Sequence, residues 1–331
     1  MRRQPSKALL AHARAELGVE QPAVARGMAG AIRDAVNSNS SSGDTVVGVL
    51  FYGSCLRTGE TGDKILDFYV LVENYAGAYA SRLMGLANRL LPPNVFYLEW
   101  LGEDHDGDRE IVRAKYAIVS LDDFARRARG EVLDLTIWAR FSQPSALLFA
   151  KTPEIEQAVA AAVAGAALTT LAEALPLMPA GATSRDIWAG AFALTYSAEL
   201  RSETSDKGEE LYALDQARYD MLLPLVLENL EVPFVGMGAA DGELALREDP
   251  DGSEHRRAKW RWMRRRLKGK ILSVLRLLKA SFTFVGGIDY LAWKISRHSG
   301  VEVVLTPWQR RHPILAGPVL FWTLRRKGAF R

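Results

Sequence analysis

The sequence predicts an α+β protein, in which a mixed sheet with flanking helices is followed by an all-helical domain and a basic amphipathic C-terminal region. Three observations indicate this order: apolar runs of strand length before residue 121, an alanine-rich helical stretch from residue 154, and basic residues concentrated after residue 255. A chain of 331 residues has room for about two domains. We expect a sheet domain over 1–145, a helical domain over 146–245 and a basic segment over 246–331.

The first half of the chain alternates between helical and strand patterns. Apolar residues at helical spacing predict helices over 7–36, interrupted at Gly18, that pack against the first strand. Runs rich in Val, Leu, Phe and Tyr predict four strands, which begin at Val49 and lie at 65–72, 94–100 and 113–120. Further helices are predicted at 78–91, after Leu121, and at 134–141. Beyond Pro144, helices are predicted at 154–175, 187–201 and 212–228, so this region is expected to be all α.

The turn between the first two predicted strands contains Gly53 and Ser54, and Asp67 is the one carboxylate in the second strand. Because glycine has no side chain, a triphosphate can lie against its amide, and Ser54 can donate from its N–H and hydroxyl at the start of a following helix. Asp67 can hold Mg²⁺, which bridges phosphates during attack on an α-phosphate. The stretch therefore predicts nucleotidyl transfer, although Gly-Ser is also a common turn and an acid near a strand end is often only solvated.

The composition is that of an ordinary soluble protein, with 48% hydrophobic and 24% charged residues and a net charge of +3. A single cysteine, Cys55, cannot form an internal disulfide, which fits a reducing compartment, and we expect it to be a small apolar filler. The basic N-terminus does not continue into the apolar core of a secretory signal, and no run reaches the roughly 18 apolar residues of a spanning helix. We expect a cytoplasmic protein, soluble or peripheral on the inner face of a membrane.

Six separated blocks of the chain occur in the order found in one known family. They are YGSC at 52–55, LDFY at 66–69, KYAIVS at 115–120, ARFSQP at 139–144, a block from Ala189 to Lys207 that includes YSAELR, and KASFT at 279–283. Together they resemble the mitochondrial-type CTP:phosphatidate cytidylyltransferases of the nucleotidyltransferase superfamily, which make CDP-diacylglycerol. The resemblance covers most of the chain and implies a nucleotidyltransferase-like sheet, CTP and phosphatidic acid as substrates, and Mg²⁺ as cofactor.

The resemblance also implies roles for particular residues. These are catalysis by Asp67 and Lys115, nucleotide binding by Gly53, Ser54, Lys115 and Arg140, and lipid-phosphate binding by Arg201, Lys207 and Lys279. Each basic residue has an ordinary alternative role as a solvated or paired surface charge. The chain departs from the family where Cys55 and Ala117 replace glycines, which would narrow the room for phosphates, and where Gln143 replaces a lysine, which removes one charge contact.

A second metal ligand is not obvious in the sequence. Most nucleotidyltransferases of this kind carry a second acid two residues after the first, on the same strand face, and here that position is Tyr69. We expect Glu99, a charged residue in an otherwise apolar strand, to be the second metal ligand, with Glu73 as a weaker choice. Either acid could instead be structural.

Three functions remain open on the sequence. The first is Mg²⁺-dependent transfer of a cytidylyl group from CTP to phosphatidic acid, with release of pyrophosphate. The second is nucleotidyl transfer to another lipid phosphate, a protein or an RNA end. The third is a noncatalytic binding protein on a degenerate fold of this type, which the tyrosine at position 69 favours. Partners are expected to be CTP, phosphatidic acid and an anionic membrane surface, with no nucleic acid.

The basic C-terminal segment has the pattern of an interfacial helix. One face carries apolar residues at spacings of three and four, namely Trp260, Met263, Leu267, Ile271, Val274, Leu275, Leu278 and Phe282. Basic residues occupy the other faces, namely Arg257, Arg261, Arg264, Arg265, Lys268, Arg276 and Lys279. A core helix or a nucleic-acid patch would show a similar pattern, but the tryptophans at its start suit a headgroup boundary, so we expect binding to anionic membranes.

Overall fold

The computed structural model has an α+β fold, in which a five-stranded mixed sheet with flanking helices precedes a largely helical region. This confirms the fold class at that level. The structure describes residues 4–60, 64–103, 109–179, 181–198, 207–230, 234–237, 244–246, 252–283, 292, 296, 303–311, 316, 319, 322, 323 and 326.

The sheet consists of five strands in the order β3-β4-β2-β1-β5. The strands are β1 (Val46–Tyr52), β2 (Ile65–Val72), β3 (Asn94–Glu103), β4 (Arg109–Ser120) and β5 (Ser145–Ala150). β2 and β4 run parallel, whereas every other neighbouring pair in this sheet is antiparallel. The four predicted strands are confirmed, and β3 and β4 both extend further into their connecting turn than the sequence indicated.

β5 was missed by the sequence prediction. It is six residues long and pairs with β1 at the edge of the sheet. A short apolar run between helical segments does not distinguish a strand from part of a buried helix, because periodicity needs more residues to show itself. The sheet therefore continues beyond residue 145, and the region expected to be all α contains this strand and the small hairpin of β6 (Phe234–Met237) and β7 (Leu244–Leu246).

Helices cover both faces of the sheet and then build the second region. The first six are α1 (Lys7–Leu17), α2 (Ala23–Ser38), α3 (Ser54–Thr58), α4 (Arg82–Leu90), α5 (Leu121–Ala128) and α6 (Thr136–Phe141). The later ones are α7 (Pro153–Ala174), α8 (Ser184–Ser197), α9 (Lys207–Leu214), α10 (Gln216–Asn229), α11 (Ser253–Thr283) and α12 (Pro307–Arg311). The segment predicted as one helix over 212–228 is divided between α9 and α10, since Asp215 lies between them outside helical geometry.

Each face of the sheet packs into its own apolar cluster. On one face, Phe68 of β2 packs with Ile32 of α2, and on the other face Tyr69 packs with Trp138 of α6. Because successive strand residues point to opposite faces, Asp67 lies on the face of Tyr69. The candidate carboxylate therefore shares its side of the sheet with α5, α6 and α7.

α7 belongs to two cores at once. Its first half packs in the sheet cluster, through residues such as Val163, while its second half packs with α8 and α10 through residues such as Leu171. Together with the following 3₁₀ turn, this 25-residue helix, Pro153–Leu177, has the length and hydropathy of a membrane span. However, 72% of its most apolar stretch is buried inside the protein, as is usual for a central core helix.

α11 docks through a side that carries Ala258, Trp262, Arg265 and Gly269, and its predicted apolar stripe faces outward. Ala258, Trp262 and Arg265 are buried, and a Cβ on Gly269 would lie 2.2 Å from the carbonyl oxygen of Ala198. In contrast, the described members of the apolar stripe, Trp260, Met263, Leu267, Ile271, Val274 and Leu275, are 44–66% exposed. At 3.6 residues per turn these two stripes lie on opposite sides of the helix.

Polar contacts hold the docked side of α11, which corrects two sequence expectations. Arg265 is not a surface charge, because it is 4% exposed and donates to Glu173 at 2.8 Å. Of the two tryptophans at the start of the helix, Trp262 is buried, with its indole nitrogen donating to the Glu173 carbonyl at 2.9 Å. Further along, Arg276 donates to the Asp134 carboxylate at 2.5 Å. Burial would raise the pKa of Asp134, but the charges of Arg276 and Arg127 and the hydrogen bonds from Arg276 and Thr136 together outweigh it and lower that pKa.

Two helical glycines allow a test of how closely α8 and α9 approach. A Cβ on Gly208 would lie 2.3 Å from the carbonyl oxygen of Ala189, whereas a Cβ on Gly30 would meet nothing within 4 Å. We expect Gly208→Ala to lower the free energy of unfolding by about 1–3 kcal/mol, because backbone must shift. Gly30→Ala should raise it by up to about 1 kcal/mol. Urea unfolding measures the free energy of unfolding of both variants. Changes of the same sign and size in the two variants would contradict the close approach of α9 to α8.

Candidate active site

A row of polar-tipped side chains crosses all five strands on the face of Asp67. The strand register pairs Asp67 with Lys115 on β4 and with Tyr52 on β1. The row continues to Tyr97 on β3 and to Ser145 on β5. Directly paired residues on neighbouring strands share a face and lie about 5 Å apart, so these five residues form one line. The sheet thus presents one carboxylate and one ammonium group side by side among hydroxyl groups.

Asp67 and Lys115 form the charged centre of this row. The Lys115 Nζ atom lies 3.0 Å from Asp67 Oδ1, and the two side chains are 36% and 22% exposed respectively. Within the described part of the chain, this buried Oδ1 atom accepts no hydrogen bond of normal geometry, so the ammonium group is its charge partner. A carboxylate oxygen that is enclosed but weakly satisfied retains capacity to bind a cation.

Gly53 brings the backbone close to the Asp67 carboxylate. Its dihedral angles, φ 96° and ψ −163°, lie in a region that only glycine adopts readily. A Cβ on Gly53 would lie 3.0 Å from Asp67 Oδ2, so the turn also has no space for a side chain. Ser54 is exposed and begins α3, which confirms the predicted strand, turn and helix.

Cys55 does not occupy the space beside this turn. Its side chain is 3% exposed and packs in the cluster on the opposite face of the sheet, with Phe51 and Phe68. Burial raises the pKa of the thiol, and the negative charge of Asp67 raises it further. Cys55 is therefore a neutral apolar filler, as predicted. We expected a cysteine at this position, where the resemblance implies a glycine, to narrow the room for phosphates, but its side chain lies on the face opposite Asp67.

Sequence reasoning missed Arg57, which brings a second positive charge to the turn. Arg57 lies on α3, and its Nη1 atom donates to Gln143 Oε1 at 3.2 Å. Gln143 is itself fixed, because its Nε2 atom donates to the Ala139 carbonyl at 2.9 Å. The Arg57 Nε atom is buried and, within the described residues, has no hydrogen-bond partner. In the sequence, the one sign that Arg57 lies near this turn is its position four residues, or about one helical turn, after Gly53.

The helical region reaches the same corner through Arg218 of α10. Its guanidinium group forms a bidentate pair with Glu16 of α1, at 2.9 Å for both contacts, and donates to the Ser142 carbonyl at 3.1 Å. Burial by itself would lower the pKa of Arg218, but the charge and hydrogen bonds of Glu16, together with Tyr219 and Asp215, outweigh it and raise that pKa. The segment carrying Gln143 is therefore held, through the Ser142 carbonyl, by the ion pair between α1 and α10.

Glu99 is not brought next to Asp67. It is on the same face of the sheet, but it pairs with Arg113 rather than Lys115, which places it two strands and two residues away, or about 12 Å between backbones. Its Oε1 atom accepts from Tyr97 at 2.8 Å and lies 3.3 Å from Arg113 Nε. Among the described residues, no cluster of three or more His, Cys, Asp or Glu side chains is arranged to hold a metal.

The remaining candidate cations are dispersed. Arg140 donates to the Thr136 carbonyl at 3.2 Å within α6, and Lys207 donates to Glu210 at 2.6 Å. Lys279 donates to two carbonyls that follow α4, those of Leu91 and Pro93. Burial lowers the pKa of Lys279 to about 7, and Arg276 adds to the effect. Arg201 lies outside the described residues.

The approach of Gly53 to Asp67 can be tested with a matched glycine from the same turn. Gly59, at the other end of α3, has φ 70° and ψ −4°, and a Cβ there would meet nothing within 4 Å. We expect Gly59→Ala to cost about 1 kcal/mol of unfolding free energy from backbone strain alone. Gly53→Ala should cost at least about 1 kcal/mol more, because strain and contact with the carboxylate combine. Equal losses in urea unfolding would show that the carboxylate does not restrict this turn.

Comparisons with known proteins add no assignment to this site. No protein-family model matches the chain, and no curated protein gives a significant match to its sequence.

Proposed function

We propose that this protein is a Mg²⁺-dependent nucleotidyltransferase that transfers a cytidylyl group from CTP to phosphatidic acid and so makes CDP-diacylglycerol and pyrophosphate. The observation that carries the proposal is the position of Asp67, which lies against the side-chain-free turn at Gly53 and 3.0 Å from the Lys115 ammonium group. A carboxylate, a cation and an accessible backbone turn are the groups that a metal-bound triphosphate requires.

The residues present fit a metal that arrives with its nucleotide. Mg²⁺ usually keeps several waters and binds through one or two carboxylates together with substrate phosphates. Asp67 can supply one such carboxylate, since its Oδ1 atom is enclosed and accepts no regular hydrogen bond within the described residues. When bound, Mg²⁺ would neutralise charge that develops on the phosphates. Glu99 is too far from Asp67 to bind the same ion. Phosphate and water oxygens would therefore complete the coordination of the Mg²⁺ ion.

Positive charge near the turn supports triphosphate binding. Lys115 lies on the strand next to Asp67 and can act as a point charge for the β or γ phosphate. The resemblance implies a lysine at position 143, and Gln143 lacks that charge. Arg57 donates to the Gln143 side chain, so its guanidinium group provides a positive charge next to this position. Arg140 is on the adjacent helix α6. We infer that Arg57 and Lys115 orient the triphosphate.

The proposed chemistry needs no general base from the chain. A phosphate oxygen of phosphatidic acid attacks the α-phosphorus of CTP, and the bond from that phosphorus to the bridging oxygen breaks as pyrophosphate leaves. The attacking phosphate is already anionic at neutral pH, so no proton must be removed. Catalysis then consists of positioning and charge stabilisation by Gly53, Ser54, Lys115 and Arg57. Lys207, Lys279 and Arg201 stay predicted lipid-phosphate contacts.

One observation favours a noncatalytic binding protein instead. Tyr69, where the usual second carboxylate would stand, is 2% exposed and packs edge-on against Phe141 at 5.2 Å between ring centroids. A core ring at this position leaves a single carboxylate on the strand.

Incubation with labelled CTP, Mg²⁺ and phosphatidate micelles separates the candidate functions. Lipid-soluble label supports cytidylyl transfer, label on an added protein or RNA supports another acceptor, and no label with any acceptor supports binding alone.

The exposed stripe of α11 supports peripheral attachment to the inner face of an anionic membrane. Eleven basic residues and no acid occur between His255 and Lys279. Most of them flank an apolar stripe that is 44–66% exposed. Each basic residue near an anionic surface contributes about 1 kcal/mol, and exposed apolar side chains gain by insertion at the headgroup boundary. This arrangement would hold the enzyme where its lipid substrate is.

Asp67→Asn should abolish turnover without unfolding the protein. The change removes the charge that would hold the metal but keeps the shape of the side chain, so we expect at least a roughly hundredfold loss of activity. Glu99→Gln serves as the control, since Glu99 is 46% exposed and pairs with Arg113, and it should retain most activity. If Asp67→Asn keeps near wild-type turnover with Mg²⁺, Asp67 does not hold the metal. If Glu99→Gln loses as much activity as Asp67→Asn, Glu99 is a metal ligand after all.

Substitution on the exposed stripe of α11 should release the protein from membranes. Leu267 and Ile271 are 66% and 52% exposed, so changing both to serine should leave the fold intact. We expect the wild-type protein to sediment with phosphatidylglycerol vesicles at low salt and to dissociate at high salt. Leu267→Ser with Ile271→Ser should weaken this binding about tenfold or more. Equal binding of the wild-type protein to phosphatidylcholine vesicles would argue against an anionic surface.

A further inference from the structure

α4 exposes a second apolar stripe. Leu83, Leu86 and Leu90 lie at spacings of three and four, and they are 74%, 52% and 74% exposed. Burying a leucine is favourable, so three exposed leucines on a nine-residue helix leave considerable apolar surface in water. Monomeric proteins expose large contiguous apolar patches mainly where something binds.

α4 is attached to the sheet by its polar side, as α11 is. Asn88 is fully buried, and its Nδ2 atom donates to the Tyr79 hydroxyl at 2.8 Å and to the Ile118 carbonyl at 3.0 Å. A Cβ on Gly85 would lie 2.8 Å from the Tyr75 carbonyl oxygen, so the helix approaches backbone closely there. Anchoring through a small residue and an amide leaves the leucines on the opposite side.

α11 contacts the residues that follow α4 through two basic side chains. Arg276 donates to the Pro92 carbonyl at 2.7 Å, and Lys279 donates to the carbonyls of Leu91 and Pro93 at 2.5 and 2.7 Å. Leu90 immediately precedes this contact on α4. On α11, Val274 and Leu275 lie within about one helical turn of it and are 47% and 44% exposed.

We propose that α4 and α11 form one binding surface for an anionic phospholipid bilayer, with Leu83, Leu86 and Leu90 entering the headgroup boundary beside the stripe of α11. The inference rests on the membrane attachment proposed above and extends it to a helix of the sheet domain. A lipid surface fits the chemistry because α4 carries Arg82 and Arg89 and no acid. A second copy of the chain would bring two basic surfaces together, which like charges oppose.

Attachment through both helices would also orient the sheet domain. A single helix on a membrane leaves the attached domain free to rotate about that helix. A second point of attachment on α4 would restrict this rotation, and the contacts of Arg276 and Lys279 connect α11 to the end of α4. The site at Asp67 would then meet the bilayer in a restricted range of orientations, which favours encounters with a lipid headgroup.

Serine substitutions separate the contribution of α4 from that of α11. We expect Leu86→Ser with Leu90→Ser to weaken sedimentation with mixed phosphatidylglycerol and phosphatidylcholine vesicles about tenfold. Val19→Ser with Leu214→Ser is the matched control, because these residues are 58% and 47% exposed and lie on neither helix. The control should bind as the wild-type protein does. All variants are measured as full-length chains, and unchanged thermal unfolding confirms that they fold.

A fluorescent probe tests insertion directly. Cys55 is buried, so a cysteine introduced by Leu86→Cys or Leu214→Cys can be labelled selectively with an environment-sensitive dye. On addition of the mixed vesicles, dye at position 86 should shift to shorter wavelength, and dye at position 214 should not. A shift at position 86 that depends on protein concentration without vesicles would overturn the proposal in favour of self-association.

The outcomes also separate this inference from the membrane attachment itself. If the α11 variant loses vesicle binding while the α4 variant and its dye behave as the control does, the α4 contact is refuted and attachment through α11 stands. If the wild-type protein does not bind anionic vesicles, both are refuted. If both variants weaken binding and dye at position 86 shifts, the composite surface is supported.

Discussion

The register between the parallel strands β2 and β4 is the constraint on which the candidate site depends. It pairs Asp67 with Lys115 and so places a carboxylate 3.0 Å from an ammonium group. Side chains alternate between faces, so a slip of one residue would send Asp67 into the cluster of Phe68 and Val70 and leave Leu66 in its place. Burying an unpaired carboxylate there would cost several kcal/mol. The apolar clusters on both faces therefore fix the position of the charged pair.

The helical region depends on the same frame, since it reaches the sheet through α1, α7 and charged contacts. α7 contributes to both the sheet cluster and the helical cluster, so neither core is complete without it. Arg218, Glu16 and the Ser142 carbonyl then tie α10 and α1 to the segment that precedes β5. Buried, bidentate ion pairs are directional, and they specify one arrangement more strictly than apolar contact does. This helps to keep Gln143, and through it Arg57, at the Gly53 turn.

The sequence indicated most of the sheet because its strands are long apolar runs bounded by turn residues, and it indicated Asp67 because a lone acid interrupts such a run. It did not indicate β5, whose six residues are too few to show a period. Nor could it show that Glu99 lies apart from Asp67, because the distance between them depends on the pairing of Glu99 with Arg113 in the neighbouring strand. Arg57 was missed since its contact with Gln143 joins residues far apart in the chain.

α11 shows why an amphipathic pattern does not by itself identify the buried side of a helix. The pattern locates an apolar stripe, but Glu173 and Asp134, which pair with Arg265 and Arg276, are remote in sequence and cannot be assigned as partners beforehand. Once these acids and the carbonyls after α4 hold the polar side of the helix, the apolar side must face outward. Reversing the helix would separate Arg265 from Glu173. It would also leave the buried Asp134 carboxylate with one charge partner fewer, because of its two cations only Arg276 lies on α11. Polar contacts on the docked side therefore help to decide which side of a helix faces outward: ion pairs in α11, and the amide hydrogen bonds of Asn88 in α4.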